Sequence, residues 1–248
     1  MPPKLSIIMP AVDVPHGSGK PHFAIDVAIK SCLDSTGEFE LLIGADGQQP
    51  AIKALVDSFA SEKIRYFEYP YTGNWGNPQR NRLIKEASGT HVTYLDHDDA
   101  MAKGGIELAL ENADLFPDRP IMYRMLTHHG HIRWPKMPGV SETCPVTWDM
   151  ILPDDELGPN QEPHRITNFI DCTMGVFPID GVTAQWAPEE NYNADWIFFI
   201  KTLNWFKHRR KDMLFVPTVF KLMRPRVLEM IQNGIASMSP EDRADFEW

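Results

Sequence analysis

The chain is short of the residues that mark several common protein classes. It has three cysteines in 248 residues, Cys32, Cys144 and Cys172, and no C-x-x-C pair. An odd, widely spaced set argues against a disulfide framework or a zinc knuckle and suits a reducing compartment. Positive charge is also scarce: 24 Lys and Arg stand against 34 Asp and Glu, a net charge of −10. Phosphate backbones need concentrated Lys and Arg, so a broad nucleic-acid surface is disfavoured, and Lys207 to Lys211 remains as one local basic patch. No apolar run is long enough to span a bilayer, and Met1-Pro2-Pro3-Lys4 leads directly into a strand, so a cytoplasmic protein is expected. The GSGK at 17–20 lacks the rest of a phosphate-binding loop, because Val14 stands where the first glycine belongs and Pro21 where Ser or Thr belongs. It reads as an exposed insertion.

What is present is an ordinary globular composition, 43% hydrophobic and 23% charged, long enough for one large α/β domain. Apolar runs at Leu5 to Met9, Phe39 to Ile43, Ile64 to Tyr69 and His91 to Leu95 read as strands. Helical spacing intervenes at Phe23 to Leu33, Ile52 to Phe59, and Leu83, Ile84 and Ala87, where Gly89 stops the helix. A helix over Gly105 to Leu115 follows, then a hairpin from Ile121 to Trp134 with Gly130 in its turn. His128, His129 and His131 in that turn have no carboxylate or cysteine at ligand spacing and read as exposed. Residues 135–163 are loop-rich and suit an acceptor-side excursion or lid. Phe169 to Phe177 reads as a strand, and Asp195 opens a helix with Trp196, Phe199, Ile200 and Leu203 on its apolar face. Met213 to Phe220 reads as the last strand, and Val227 to Ile235 begins a helical tail over 225–248 that packs on the domain or on a second copy.

The chemistry gathers in Gly73 to Asp99. A Gly/Asn/Pro loop ends in Arg80-Asn81, and the strand after the next helix finishes in Asp96-His97-Asp98-Asp99. Carboxylates so placed belong at the strand's mouth, outside the core. In an extended chain residues i and i+2 point to one side, so Asp96 and Asp98 can converge on a cation, and oxygen ligands of this kind suit Mg²⁺ or Mn²⁺. The competing reading is an acidic turn or helix start. Asp46, before Gly47, is on local grounds a turn residue. Arg80 suits either a charge-assisted contact to pyrophosphate or an ion pair at a helix start. Asn81 suits a brace between the loop and the acidic turn. Asp195 is on local grounds an anion favoured by a helix dipole.

These pieces together resemble the family 2 glycosyltransferases of the GT-A fold. G-N-W-G-N-P-Q-R-N, A-S-G-T and L-D-H-D-D are similar to that family's N-x-G-x-x-x-A-R-N, x-A-x-G-x-Y-I and L-D-x-D-D. LSIIMPAVD resembles its opening strand and Pro-Thr-Tyr-Asn turn, and ELLIGADGQ its V-D-D-G-S strand. The resemblance covers residues 5 to 101 and, more loosely, 170 to 224. It implies an open, mostly parallel sheet flanked by helices (Rossmann-like), with a nucleotide-binding half over 1–101 and an acceptor half over 102–224. It also implies Mn²⁺ or Mg²⁺ on Asp98 and Asp96. Pro10, Ala11, Asp13, Asp46, Arg80 and Asp96 would contact a nucleoside-diphosphate sugar, first of all a UDP-sugar, and Asp195 would be the general base. Arg224 falls where an anion-binding residue returns to the site. The chain departs from the pattern at Ala45, which replaces the first Asp of D-D-G-S, and at Ala194, which replaces the Glu before the base. The implied reaction is inverting sugar transfer to a hydroxyl of a glycan, lipid-linked sugar, protein or modified nucleic acid. A retaining transferase, a nucleotidyltransferase and a non-catalytic nucleotide-sugar-binding module are the rivals.

Overall fold

β1 (Leu5–Ala11) and β2 (Phe39–Asp46) are buried along their whole length, as expected of parallel strands covered on both faces. Their side chains alternate between two cores. Leu5, Ile7, Met9, Leu41 and Ile43 belong to one, and Ile8 and Leu42 to the other, which is the period of two that a pleated strand imposes. The computed structural model describes residues 4–12, 25–126, 132–133, 174–187, 194–211 and 213–225. Asp13, the GSGK segment, the three turn histidines, the loop-rich 135–163 region and the 226–248 tail lie outside those residues.

The remaining described strands are β3 (Ile64–Tyr69), β4 (His91–Tyr94), β5 (Ala100–Met101), β6 (Ile121–Leu126), β7 (Ile132–Arg133), β8 (Gly175–Pro178) and β9 (Leu214–Leu222). They form one sheet in the order β3-β2-β1-β4-β8-β6-β9-β5, with β7 paired to β6. The long ladders are parallel, β3-β2-β1-β4 and β6-β9, while β8, β7 and β5 join through shorter antiparallel pairings. A mostly parallel sheet flanked by helices is thus what the chain forms. The β6-β7 pairing gives the expected hairpin.

α1 (Ile25–Leu33) buries Ile25, Ala28, Ile29 and Cys32, one face of a helix. Burial pushes the Cys32 thiol up to about 12, only partly opposed by Lys221, so it is an inert core group. α2 (Pro50–Ser58) starts on Pro50, whose missing N–H costs nothing there. α3 (Asn77–Glu86) begins earlier than the sequence suggested, so Arg80 and Asn81 are helical rather than the end of a loop. Its buried face is mostly polar, Asn77, Gln79 and Arg80 beside Leu83, which is why hydrophobic spacing missed its start. Gly44 lets α3 approach β2: a Cβ there would stand 2.9 Å from Leu83. α4 is Gly105–Leu115. α5 (Ala194–His208) buries Phe198, Phe199, Leu203 and Phe206 against the second core, a wider face than the spacing from Trp196 implied. Among the described residues no helix is long and apolar enough to cross a membrane.

At the amino ends of the strands Glu40 closes a polar knot. It accepts from the Ser6 hydroxyl at 2.7 Å, the Ser88 N–H at 2.6 Å and Arg65 at 2.9 Å. Burial opposes its charge, but these donors outweigh that cost and hold the carboxyl below its ordinary value. The knot fixes where α3 ends and β4 begins, and so where β4 delivers its carboxyl end.

Candidate active site

β4 stops at Tyr94. The Leu95 N–H still donates to Ile8 O at 2.9 Å, and the Asp99 N–H donates back to Asp96 O at 3.0 Å. The acidic residues therefore occupy a tight turn, and the expected extended geometry of Asp96 and Asp98 is corrected: the turn, not strand alternation, sets their separation. Asp99 is corrected as well. It is 3% exposed and accepts the Arg224 N–H at 3.0 Å, so one of the three carboxylates is inside, stabilised by the main chain of a residue that the resemblance had returned to the site only as an anion binder. Arg224 also donates through Nε to Asp98 at 3.0 Å, and its φ of +47° is a strained backbone that the two contacts maintain. β9 brings it there, because Leu222 and Lys221 pair with Ala100 and Met101 of β5.

Asp96 is ion-paired with Arg80. Burial opposes its charge, but the Arg80 guanidinium, with His97, prevails and keeps the carboxyl below the usual carboxylate range. Arg80, 4% exposed, also donates to Trp75 O at 2.8 Å and to Asn77 Oδ1 at 3.2 Å. The ion pair expected of Arg80 at a helix start is therefore present.

Asp46 ends β2 and is 3% exposed. It accepts from the Thr72 N–H at 2.7 Å, the Thr72 hydroxyl at 3.0 Å, the Gly73 N–H at 2.8 Å and Gln79 at 2.6 Å. More than a turn residue, it anchors the loop that leads into α3. That loop is strained: Asn74 and Trp75 have φ of +58° and +56° between Gly73 and Gly76. Gly76 lies against Pro10, where a Cβ would come within 2.6 Å of the ring. Pro10 and Ala11, the last residues of β1, pair with Gly44 and Ala45, so Pro10, Ala11, Asp46, Arg80, Asp96 and Asp98 come together at one edge of the sheet, its strand carboxyl ends. Tyr71 and Trp75 are exposed in the same loop, 72% and 70%.

Asn81 does not brace the acidic turn as expected. Its amide donates to Trp186 O at 2.9 Å and accepts from the Trp186 N–H at 2.8 Å. Asp195 is half-buried in the first turn of α5, whose Phe198 stacks on Trp186 with ring centroids 4.4 Å apart. Trp186, Thr72 and Lys221 were not legible as site residues, since none sits in a chemical motif, and Gln79 was not singled out although it lies within the G-N-W-G-N-P-Q-R-N stretch. Lys221 is fully buried and donates to the Thr93 hydroxyl at 3.0 Å and to Tyr94 O, which places a positive charge under the acidic turn.

The sequence profile of "Glycosyl transferase family 2" matches residues 6–134. The chain belongs to glycosyltransferase family 2. An uncharacterized glycosyltransferase of Rickettsia conorii is 30% identical over 187 residues, 70% of this chain and 30% of that protein. The chain thus spans about 30% of the length of such curated relatives. S. aureus TarS 1–349 in complex with UDP-GlcNAc shares the fold with a TM-score of 0.66 at 16% identity, covering 98% of this chain and 69% of that one. A mannosyltransferase of Pyrobaculum calidifontis, in complex with GDP-Man and Mn²⁺, aligns with a TM-score of 0.54 at 10% identity over 90% of this chain and 57% of that one.

For this family 2 chain, the residues present suit a divalent cation. Among the described residues no three His, Cys, Asp or Glu side chains cluster as a ready-made cage. Arg80 engages Asp96 through Oδ1, and Arg224 engages Asp98 through Oδ2. Two hard carboxylates with further positions left to water and phosphate is the usual donor set of Mg²⁺, and Mn²⁺ accepts it too.

Proposed function

We propose that the protein transfers one sugar from a nucleoside-diphosphate sugar to an acceptor hydroxyl, with inversion at the anomeric carbon. The observation that carries this reading is the acidic turn at the carboxyl end of β4, clamped by Arg80 and Arg224 within a family 2 chain. Ligands of open α/β sheets bind outside the strands' carboxyl ends. The structures of TarS with UDP-GlcNAc and of the Pyrobaculum enzyme with GDP-Man and Mn²⁺ support a nucleotide-sugar donor and a divalent cation by likeness of fold.

Asp98 and Asp96 would hold Mn²⁺ or Mg²⁺ against the diphosphate. When bound, that cation neutralises the charge that grows on the leaving group. Arg80 keeps Asp96 ionised and oriented, and Arg224, half-exposed beyond its Nε contact, offers its remaining N–H groups to the diphosphate. The nucleoside would lie over Pro10, Ala11 and Asp13, beside the loop that Asp46 anchors. Asp195 would accept the proton of the acceptor hydroxyl as its oxygen bonds to the anomeric carbon and the bond to the nucleoside diphosphate breaks. The acceptor is a glycan, lipid-linked sugar, protein or modified nucleic-acid hydroxyl. Isothermal calorimetry with UDP and GDP tests the donor site: binding should be tight with Mn²⁺ and weak with chelator, and Asp98→Ala should abolish the difference. Equal affinity in both conditions would remove the cation from the reading.

A further inference from the structure

Buried groups form an unbroken stack between the acidic turn and the helix that carries Asp195. Arg80, paired with Asp96, lies 4.6 Å from the centre of the Trp186 ring. Trp186, 1% exposed, is nearly parallel to Phe198, the centroids 4.4 Å apart at 13°. Tyr94, the last residue of β4, meets both edge-on at 5.1 and 5.3 Å. Phe198 is one turn along α5 from Asp195. The backbone of Trp186 is held separately, by the paired hydrogen bonds from Asn81, 105 residues away in sequence. Two consecutive residues of α3 thus hold both the ring and the main chain of Trp186.

We infer that Trp186 is a positioning residue, which sets Asp195 against the donor held at Asp96 and Asp98, with Arg80 and Asn81 as its anchor. This rests on Asp195 being the base, as proposed above. A base must come within hydrogen-bond reach of the proton it takes, and a displacement of about 1 Å at a reacting group costs on the order of 10²-fold in rate. Asp195 and Asp96 come from different elements, so something must register one against the other. The apolar packing of Phe199, Leu203 and Phe206 holds α5 on the sheet, but it makes no contact with Arg80 or Asp96 that would tie the helix to the acidic turn. The Asn81 pair and the guanidinium over the indole face are directional. Arg80 contributes the decisive link, because one cation contacts both the Asp96 carboxylate and the Trp186 ring.

The test uses Trp186→Leu, Trp186→Phe and Asn81→Ala in the full chain, with and without Asp195→Asn. Turnover is read on the nucleotide sugar that the wild type consumes fastest from a panel of UDP- and GDP-sugars. Trp186→Leu and Asn81→Ala should bind the matching nucleoside diphosphate with Mn²⁺ within about 2-fold of wild type while kcat falls ~10- to 10²-fold. Trp186→Phe keeps a ring between Arg80 and Phe198 and should recover most of that loss. In the Asp195→Asn background, Trp186→Leu should cost less than about 3-fold more, since a residue acting through the base then has nothing left to position. Asn81→Ala removes the clamp without opening the aromatic core, and it decides the matter if Trp186→Leu does not fold. Multiplicative losses in the double variant, or nucleotide affinity falling in step with kcat, would overturn the positioning role and leave Asp195 as the base. Full turnover by Asp195→Asn would overturn both.

Discussion

Asp46 accepts four hydrogen bonds from the loop after β3 and from Gln79, whereas Asp98 is held by one half-exposed arginine. The first thus anchors the loop into α3, while the second carries one exposed ion pair, although both are Asp at a strand end. An amide in place of Asp46 would turn an N–H₂ toward donors. Asp46→Asn should cost about 2 kcal/mol in denaturant unfolding, the scale of hydrogen bonds to a charged group. It should also raise the donor KM more than it lowers kcat, because a misplaced loop weakens ground and transition states alike. Unchanged stability with a pure kcat loss would instead place Asp46 at the chemistry. Residue type and strand-end position were readable for Asp46, Asp96 and Asp98. The resemblance also returned Arg224 to the site, but that it pairs with Asp98 across 126 residues, and Gln79 with Asp46 across 33, was not readable, because no local pattern encodes such pairings.

β2 and β4 show the same logic one level up, since each has a titratable side chain buried toward its amino end. His91, at the start of β4, is 4% exposed, and burial, only partly offset by Asp180 and Asp114, pushes it below its ordinary value of 6.5. Its folded pKa lies under the unfolded one, so its contribution is complete above about pH 6.5 and is lost as pH falls through the folded value. Glu40 of β2 is also depressed, from 4.5, so its contribution is present above that pH and fades below it. Acid unfolding should therefore have two limbs. Urea titrations across pH should show stability falling first below about pH 6.5 and again below about 4.5, and His91→Gln should remove only the upper limb. An upper limb that persists in His91→Gln would assign it elsewhere. Strand existence was legible in these apolar runs, while the first turn of α3 was not, because its buried face faces polar groups of the site and carries no hydrophobic period.

The whole molecule is organised by one sheet that runs from the edge strand β3 through β1 and β4 to β9 and β5. The proposed nucleotide and acceptor halves share that sheet, and β9 of the second half returns to pair with β5 beside the acidic turn. A shared sheet and cores that cross the division predict a single cooperative unfolding transition in scanning calorimetry, with matching calorimetric and van't Hoff enthalpies. UDP with Mn²⁺ should raise the whole transition if that ligand is bound. Two resolved transitions would mean that residues 1–101 and 102–224 unfold separately. The sequence by itself determined the α/β class, the parallel core strands and the acidic strand end, since apolar runs, helical spacing and clustered carboxylates are local and survive without knowledge of neighbours. Only the tertiary structure decided which carboxylates are buried, that Arg80 is held by Asp96 and Trp186, and that Asn81 clamps the main chain of Trp186. Those outcomes depend on directional contacts between residues far apart in the chain, and they exist only once the sheet has brought the strand ends together.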